Sequence, residues 1–270
     1  MDIIHAVILG IVEGLTEFLP ISSTGHLLVA ENLIGYKDTA EIFTVVIQTG
    51  AIFAVVWFYK DDLLHKVSGL FQRDEHVLNF WANWVIATIP AGLIGFILKD
   101  RITEYSVLWV IGAALLLGGI LIWLIENYHK AAKPLGSVAQ FDKIDWLLAL
   151  KIGLYQILAL IPGVSRSGAT IMGGLLCGLD RVTATTFSFY LSIPILLLAG
   201  AYQLAKGRHE LGSIAGGGLA IAVGTIVSFI TALIAVKWLL KYVSKHDFKY
   251  FAYYRMVLGA VILITLLITR

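Results

Sequence analysis

Long apolar stretches separated by short polar segments run along the whole chain. A membrane-spanning helix needs about 20 mostly apolar residues, and six stretches meet that requirement. The predicted spans are 42–59, 80–98, 107–125, 183–205, 214–237 and 250–269. The pattern therefore predicts an all-α polytopic membrane protein with six transmembrane helices.

Two further apolar stretches, 3–34 and 148–179, are long but interrupted. The first is broken by Pro20 and Gly25, and the second by Pro162 and Gly163. Each is predicted to form a re-entrant hairpin of two half-helices that meet at a polar tip. Such a tip is tolerated at membrane depth only where protein surrounds it or it lines a wet cavity.

The two interrupted stretches resemble each other at an offset of 143 residues. The matched pairs are Gly10 with Gly153, Leu15 with Leu158, Ser22 with Ser165, Gly25 with Gly168 and Gly35 with Gly178, and Glu13 matches the near-isostere Gln156. The match continues after a one-residue gap. We predict one membrane domain over 1–270, built from repeats at about 1–126 and 144–270. Because each repeat has three spans, the second is inverted, as in transporters with a midplane site.

Composition agrees with a multi-pass membrane protein. Of the 270 residues, 59% are hydrophobic and 14% charged, and the mean hydropathy is +0.86, whereas soluble domains carry about 25% charged residues. A net charge of +2 argues against a nucleic-acid partner. Cys177 is the only cysteine, which excludes an internal disulfide. No basic region or cleavage pattern opens the chain, so we expect the first stretch to be retained.

Basic residues in the loops indicate the orientation, since cytoplasmic loops are enriched in Lys and Arg. The side that holds the termini carries Lys37, Lys99, Arg101, Lys206, Arg208 and Arg270. The opposite side carries Lys60, Lys66, Arg73, Lys130, Lys133, Lys143, Arg181, Lys237, Lys241, Lys245 and Lys249. The second side is therefore predicted to be cytoplasmic, although part of its excess lies in a long 60–79 loop beside acidic residues.

The first tip combines two carboxylates with a row of hydroxyls and a histidine. Glu13 and Glu17 share a helix face and, in low dielectric, require a cation, a shared proton or an arginine. Ser22, Ser23 and Thr24 begin the next half-helix, where hydroxyls and amides can bind an anion. His26 lies within reach of a hydroxyl as a general acid or base. Helix capping is the alternative, but it explains only one hydroxyl.

The second tip centres on Arg166, its only basic residue, flanked by Ser165 and Ser167 and followed by Thr170. A buried arginine must be paired, and its planar fork suits a carboxylate or a phosphate. A purely structural Arg–Glu pair is the alternative. Together the tips predict phosphate chemistry near a membrane, with a divalent cation bridging the carboxylates to the anion.

Other polar and small residues carry weaker signals. Gln48 and Arg255 lie inside or near spans and are candidates for the cavity wall, with packing or snorkelling favoured for Arg255. The Gly216-Gly217-Gly218 run lacks the Lys-Ser/Thr of a phosphate loop and predicts close helix packing. It also permits a helix–helix homodimer.

Residues Glu13 to Pro20, with Ser22 to His26, resemble the first signature of the bacterial undecaprenyl-diphosphate phosphatases of the bacitracin-resistance type. Pro162 to Thr170 resembles the second signature. The resemblance extends over nearly the whole chain, without a departure at the motif positions.

The resemblance implies a membrane enzyme that converts undecaprenyl diphosphate into undecaprenyl phosphate and inorganic phosphate. This reaction recycles the lipid carrier of peptidoglycan synthesis at the outer face of the cytoplasmic membrane, and confers bacitracin resistance. It implies a divalent cation, Mg²⁺ or Ca²⁺. The functional positions carried over are Glu13, Glu17, Ser23, Thr24, His26, Ser165, Arg166, Ser167 and Thr170.

The mechanism predicted from these residues has Ser23 attack the terminal phosphorus with help from His26, with Glu17 and Arg166 in the catalytic set. Glu13 and Glu17 would hold the cation, while Ser22, Thr24, Ser165, Ser167 and Thr170 would bind the phosphate. Direct attack by water, activated by His26 or a glutamate, fits the sequence equally well. The competing function is a transporter of the prenyl-phosphate carrier or of a small anion, because inverted repeats with broken helices are transporter architecture.

Overall fold

The computed structural model describes residues 3–36, 42–128, 139–207 and 217–269. Within these ranges the protein has eleven α-helices, two 3₁₀ turns and no strand, which confirms the all-helical class. Several residues used above lie outside the described ranges: Lys37, Lys130, Lys133, Arg208, Gly216 and Arg270.

The helices follow the predicted apolar stretches closely. They are α1 Ile3–Thr16, α2 Ser23–Ile34, α3 Ile42–Phe58, α4 Lys60–Phe71, α5 Glu75–Glu104, α6 Leu108–Tyr128, α7 Trp146–Gln156, α8 Arg166–Leu176, α9 Arg181–Gly207, α10 Gly217–Val243 and α11 Lys249–Ile268. The 3₁₀ turns are Phe141–Lys143 and Ile157–Leu160.

Five of the described helices are long and apolar enough to cross a membrane: α5, α6, α9, α10 and α11. A sixth span results if α3 and α4 are counted as one, but they meet at a bend of 73°. The prediction of a long loop over 60–79 was wrong, because α4 occupies Lys60–Phe71 and α5 already begins at Glu75.

The two interrupted stretches form two helical pairs, α1 with α2 and α7 with α8, and their breaks have matching geometry. Ser22 and Ser165 cap α2 and α8 at positive φ, 72° and 76°. Each hydroxyl accepts a hydrogen bond from the amide three residues later, as N-cap side chains do. Gly35 and Gly178 follow the second helix of each pair with φ of 68° and 89°.

Most helix packing joins the first half of the chain to the second. The principal pairs are α1 with α10, α3 with α10, α6 with α11, α5 with α7 and α3 with α9. Glycine permits the closest approach: a Cβ on Gly10 would lie 2.6 Å from the Gly224 carbonyl oxygen. Small residues commonly let membrane helices pack at such short range.

The predicted packing role of the glycine run at 216–218 was wrong for its described residues. A Cβ added at Gly217 or Gly218 meets no atom within 4 Å. Within this chain, the two glycines therefore start α10 without holding a neighbouring helix.

Candidate active site

The tips of the two helical pairs meet around a cavity of about 190 Å³. Its polar wall consists of Glu17, Ser22, Ser23, Thr24, Gln48, Gln156, Ser165 and Arg166. Its apolar wall consists of Ala91, Ala159, Leu160, Pro162, Gly163, Ile195 and Leu196. Gln48, which the sequence left undecided between lining the cavity and packing, therefore lines it.

Glu17 stands between the two tips and contacts both. Its Oε1 accepts a 3.0 Å bond from Arg166 Nη2, and its Oε2 accepts a short hydrogen bond from the Ser23 hydroxyl. Arg166 also donates from Nη1 to the Ser188 carbonyl at 3.0 Å. The Glu17 carboxylate is therefore positioned to receive the Ser23 proton. The Arg166 guanidinium partly neutralises the charge of this carboxylate.

Arg166 has one N–H donor without a hydrogen-bond partner. Its Nε is buried and has no hydrogen-bond partner, although the residue lines the cavity. Gln156 Oε1 is also buried and unpartnered in the same wall. Buried polar atoms without partners are uncommon, so these two atoms are available to a bound polar group.

The remaining hydroxyls of the second tip are tied to the scaffold. The hydroxyls of Ser165 and Ser167 lie 3.0 Å apart, and Ser167 donates to the Leu19 carbonyl at 2.7 Å. Thr170 donates to the Ser188 hydroxyl at 2.7 Å. Ser165 lines the cavity, whereas Ser167 and Thr170 connect the second tip to its neighbours.

His26 lies beside the first tip but is not among the cavity-lining residues. Its Nδ1 is 2.7 Å from the Ser22 carbonyl, and its Nε2 is 2.7 Å from the Tyr254 hydroxyl. Because a carbonyl only accepts, Nδ1 donates to Ser22, and Nε2 is left to pair with the Tyr254 hydroxyl. The hydroxyl that His26 contacts is therefore that of Tyr254 and not that of Ser23.

Glu13 is fully buried one helical turn before Glu17, and neither of its carboxylate oxygens has a hydrogen-bond partner. It is not among the residues that line the cavity. Two unpaired oxygens one turn from a second carboxylate suit a hard cation chemically. No group of three or more His, Cys, Asp or Glu that could hold a metal occurs in the described ranges.

Arg255 belongs to this site, although packing or snorkelling was the role predicted for it from the sequence. It is fully buried and does not snorkel to an interface. Nη1 donates to the carbonyls of Pro20 and Val164 at 3.0 and 2.9 Å, one from each tip. Nη2 donates to Gly163 and Ala114 at 3.1 Å each. Arg255 therefore holds the two tips together through their backbones.

The helices and this buried site define an all-helical membrane protein whose hydroxyl, carboxylate and guanidinium groups suit a phosphate. Comparison with known families then identifies it: the bacitracin resistance protein BacA family matches residues 6–261, and the chain belongs to that family. This confirms the family predicted from the two signatures.

Curated relatives extend over nearly the whole chain. An undecaprenyl-diphosphatase of Nitrosospira multiformis is 46% identical over 266 residues, covering 97% of this chain and 94% of that protein. An undecaprenyl-diphosphatase of Lactiplantibacillus plantarum is 44% identical over 273 residues, covering 97% of each chain. The similarity includes both tips.

Proposed function

We propose that this protein is an integral membrane phosphatase that hydrolyses undecaprenyl diphosphate to undecaprenyl phosphate and inorganic phosphate. The observation that carries the proposal is the contact of Ser23 with Glu17, which is itself paired with Arg166 across the two tips. The family and its relatives support the same reaction. The activity recycles the carrier lipid for peptidoglycan synthesis and explains bacitracin resistance.

In the proposed mechanism the Ser23 oxygen attacks the terminal phosphorus and its proton passes to Glu17, its hydrogen-bond acceptor. The bond from that phosphorus to the bridging oxygen breaks, and undecaprenyl phosphate leaves. Water then hydrolyses the phosphoserine and releases inorganic phosphate. Arg166, with its unpaired Nε, and the Ser22 hydroxyl stabilise the phosphoryl oxygens, whereas Ser165, whose hydroxyl donates to Ser167, orients the second tip.

His26 has a different role in this proposal from the one predicted from the sequence. Its ring nitrogens are engaged by the Ser22 carbonyl and the Tyr254 hydroxyl. We assign it the task of fixing the backbone at the Ser22 cap, beside the nucleophile. Thr24 lines the cavity and adds a hydroxyl donor, while Ser167 and Thr170 hold the second tip in place.

A divalent cation, Mg²⁺ or Ca²⁺, is part of the proposal. Glu13 and Glu17 would hold it: both Glu13 oxygens are unpaired, whereas Glu17 would exchange a contact with Arg166 or Ser23 for the cation. When bound, the cation supplies positive charge that offsets the diphosphate.

We further propose six spans, two re-entrant pairs and an inverted repeat, with the site facing the extracytoplasmic side of the cytoplasmic membrane. Helix packing between the halves supports the repeat. Helix α1 of the first repeat packs on α10 of the second, and their counterparts α7 and α5 pack on each other in the same way. The matching caps at Ser22 and Ser165 support it further. The excess of basic residues on the opposite side supports the orientation.

Phosphate release from undecaprenyl diphosphate by the purified protein in detergent tests the function. We expect release that EDTA abolishes and that Mg²⁺ or Ca²⁺ restores. Ser23→Ala should lose nearly all turnover, whereas Ser106→Ala, at the α5–α6 connection, should match the wild type. Acid quenching should trap phosphate on Ser23.

The alternative function is a transporter of the carrier lipid or of an anion. It would be favoured by a wild-type protein that releases no phosphate at any cation concentration. If Ser23→Ala kept full activity, the phosphatase function would stand, but the nucleophile would be water and not Ser23.

A further inference from the structure

Two glutamines line the catalytic cavity, and neither has a role in the mechanism above. Gln48 is partly buried, whereas Gln156 is 1% exposed and ends α7, directly before the 3₁₀ turn that leads to the second tip. Gln156 has the place in the second pair that Glu13 has in the first, at an offset of 143 residues. The second pair therefore has a neutral amide where the first has a carboxylate.

Helix α5 sets the orientation of the Gln156 side chain. Gly153, three residues earlier on α7, lies so close to α5 that a Cβ would be 2.6 Å from the Ala87 carbonyl oxygen. Gln156 Nε2 donates to the same carbonyl at 3.5 Å. Because a carbonyl only accepts, the amide nitrogen faces α5, and Oε1 is the end that remains for the cavity. Among the described residues, Oε1 has no hydrogen-bond partner.

A free acceptor in this wall selects what can bind to it. The hydroxyls of Ser22 and Thr24 and the Arg166 guanidinium can donate to phosphoryl oxygens, whereas an amide oxygen only accepts. A fully ionised phosphoryl group has no proton to donate to Gln156 Oε1. Water donates one proton and keeps a lone pair for attack on phosphorus, and a neutral glutamine orients the attacking water in this way in other phosphate-cleaving enzymes.

We propose that Gln156 holds and orients the water that hydrolyses the phosphoserine formed on Ser23. The inference rests on the proposed phosphatase function and its serine nucleophile, and it assigns Gln156 to the second step alone. An in-line attack requires the water to lie on the side of phosphorus away from the Ser23 oxygen. Gln156 lines the cavity from the second helical pair, whereas Ser23 lines it from the first.

In this step the water oxygen bonds to phosphorus, and the bond from phosphorus to the Ser23 oxygen breaks. Glu17, protonated in the first step, returns its proton to the Ser23 oxygen, its hydrogen-bond partner. Both water protons leave with the product as dihydrogen phosphate, so Gln156 takes up no proton. The serine and the Glu17 carboxylate return to their starting states.

Gln156→Met tests the assignment, because it keeps the length of the side chain and removes the amide oxygen. A slower second step lowers kcat and KM together and leaves kcat/KM unchanged, since kcat/KM reports only the steps up to the release of undecaprenyl phosphate. We expect kcat to fall at least tenfold, with kcat/KM within twofold of the wild type. Rapid mixing should give a stoichiometric burst of undecaprenyl phosphate, and acid quenching should trap more phosphate on Ser23 than in the wild type.

Two further variants serve as controls. Gln72→Met makes the same change at the exposed end of α4 and should match the wild type. Gln156→Glu keeps an acceptor oxygen at the cavity. We expect it to accumulate no phosphoserine and to raise KM at least threefold, because the added charge repels the diphosphate.

Wild-type kcat in Gln156→Met would overturn the proposal. A kcat/KM that falls as much as kcat, without a burst, would also overturn it, because that is the result of a merely structural role. Equal accumulation of phosphoserine in Gln156→Glu and Gln156→Met would contradict the role of the acceptor oxygen.

Failure of the proposed function is a separate result. Absence of phosphate release by the wild type defeats the phosphatase and the inference together, and full activity of Ser23→Ala defeats the phosphoserine on which the inference depends. The inference alone fails when the wild type forms and hydrolyses phosphoserine but Gln156→Met gives neither the burst nor the accumulation.

Discussion

Arg255 illustrates how much of this site depends on one side chain that does not line the cavity. All of its N–H groups donate to backbone carbonyls, the longest contact being 3.5 Å from Nε to Leu115. A lysine has a single ammonium and cannot reproduce this planar fork. The relative position of Pro20 and Gly163 therefore depends on a guanidinium.

We expect Arg255→Lys to reduce kcat at least tenfold, because a tenfold loss corresponds to about 1.4 kcal/mol and several charged hydrogen bonds are removed. Gly118→Ala should have the same effect without removing the arginine, since the new Cβ would lie 2.2 Å from Arg255 Nη2. Phosphate release at saturating substrate is the measurement.

Gly112→Ala is the control, because Gly112 also lies on α6 beside α11 but its nearest neighbours are the side chains of Ile262 and Leu263, at 3.1 Å. It should keep most activity. A Gly118→Ala protein with wild-type kcat would refute the role given to Arg255.

Tyr254→Phe removes one hydrogen bond, that to His26 Nε2, and leaves the ring stacked on the imidazole. A hydrogen bond contributes about 0.5–1.5 kcal/mol, so we expect kcat to fall about two- to tenfold with KM nearly constant. Steady-state kinetics in detergent would measure this. A loss as large as that of His26→Ala would instead show that Tyr254 acts directly in the reaction.

The sequence predicted the residues of the tips because they form dense local patterns. Glu17, Ser23 and Arg166 stand out as polar groups in apolar surroundings, and the structure brings them into contact. Arg255 stood out only as a polar residue near a span, and its role, like that of Tyr254, could not be predicted in this way. Their partners are backbone carbonyls and a histidine more than 90 residues away, and no local pattern encodes such contacts.

At the scale of helices, the hydrophobic pattern predicted where the apolar helices lie but missed one helix. Helix α4 carries apolar residues at helical spacing, with Leu63, Val67 and Leu70 on one side. Its charged residues, Asp61 and Asp62 among them, favoured a loop when only spanning segments were sought. Length explains the error, because twelve residues are too few for a span.

A buried ion pair joins the ends of three helices on the predicted cytoplasmic side. Arg181 donates to both Glu126 oxygens at 3.1 and 2.5 Å, and the Phe248 amide donates to the same carboxylate at 2.9 Å. Removal of one partner from a buried pair leaves an uncompensated charge. The pair therefore couples α6, α9 and α11.

We expect Glu126→Ala to lower the free energy of unfolding by roughly 3 kcal/mol, visible as a lower Tm in detergent. The control is Glu104→Ala, which breaks the exposed pair with Arg101 and should cost less than about 1 kcal/mol. Equal Tm values for the two variants would contradict a stabilising role of the buried pair.

At the scale of the whole molecule, the proposed topology places α4 and the α5–α6 connection on opposite sides of the membrane. In a Cys177→Ser chain, an impermeant maleimide should label Tyr105→Cys in intact cells, because that topology puts position 105 on the extracytoplasmic side. Ser68→Cys, on α4, should be labelled only after lysis. The reverse pattern would invert the orientation.

The pairing of helices between halves has a consequence for synthesis. While α1, α3 and α6 leave the ribosome, the faces that will contact α10 and α11 have no partner. Arg255, which ties both tips together, is added almost last. The first half therefore stays in the bilayer without these packing partners until the second half is made. We expect truncated chains that end before α10 to be degraded rather than to assemble.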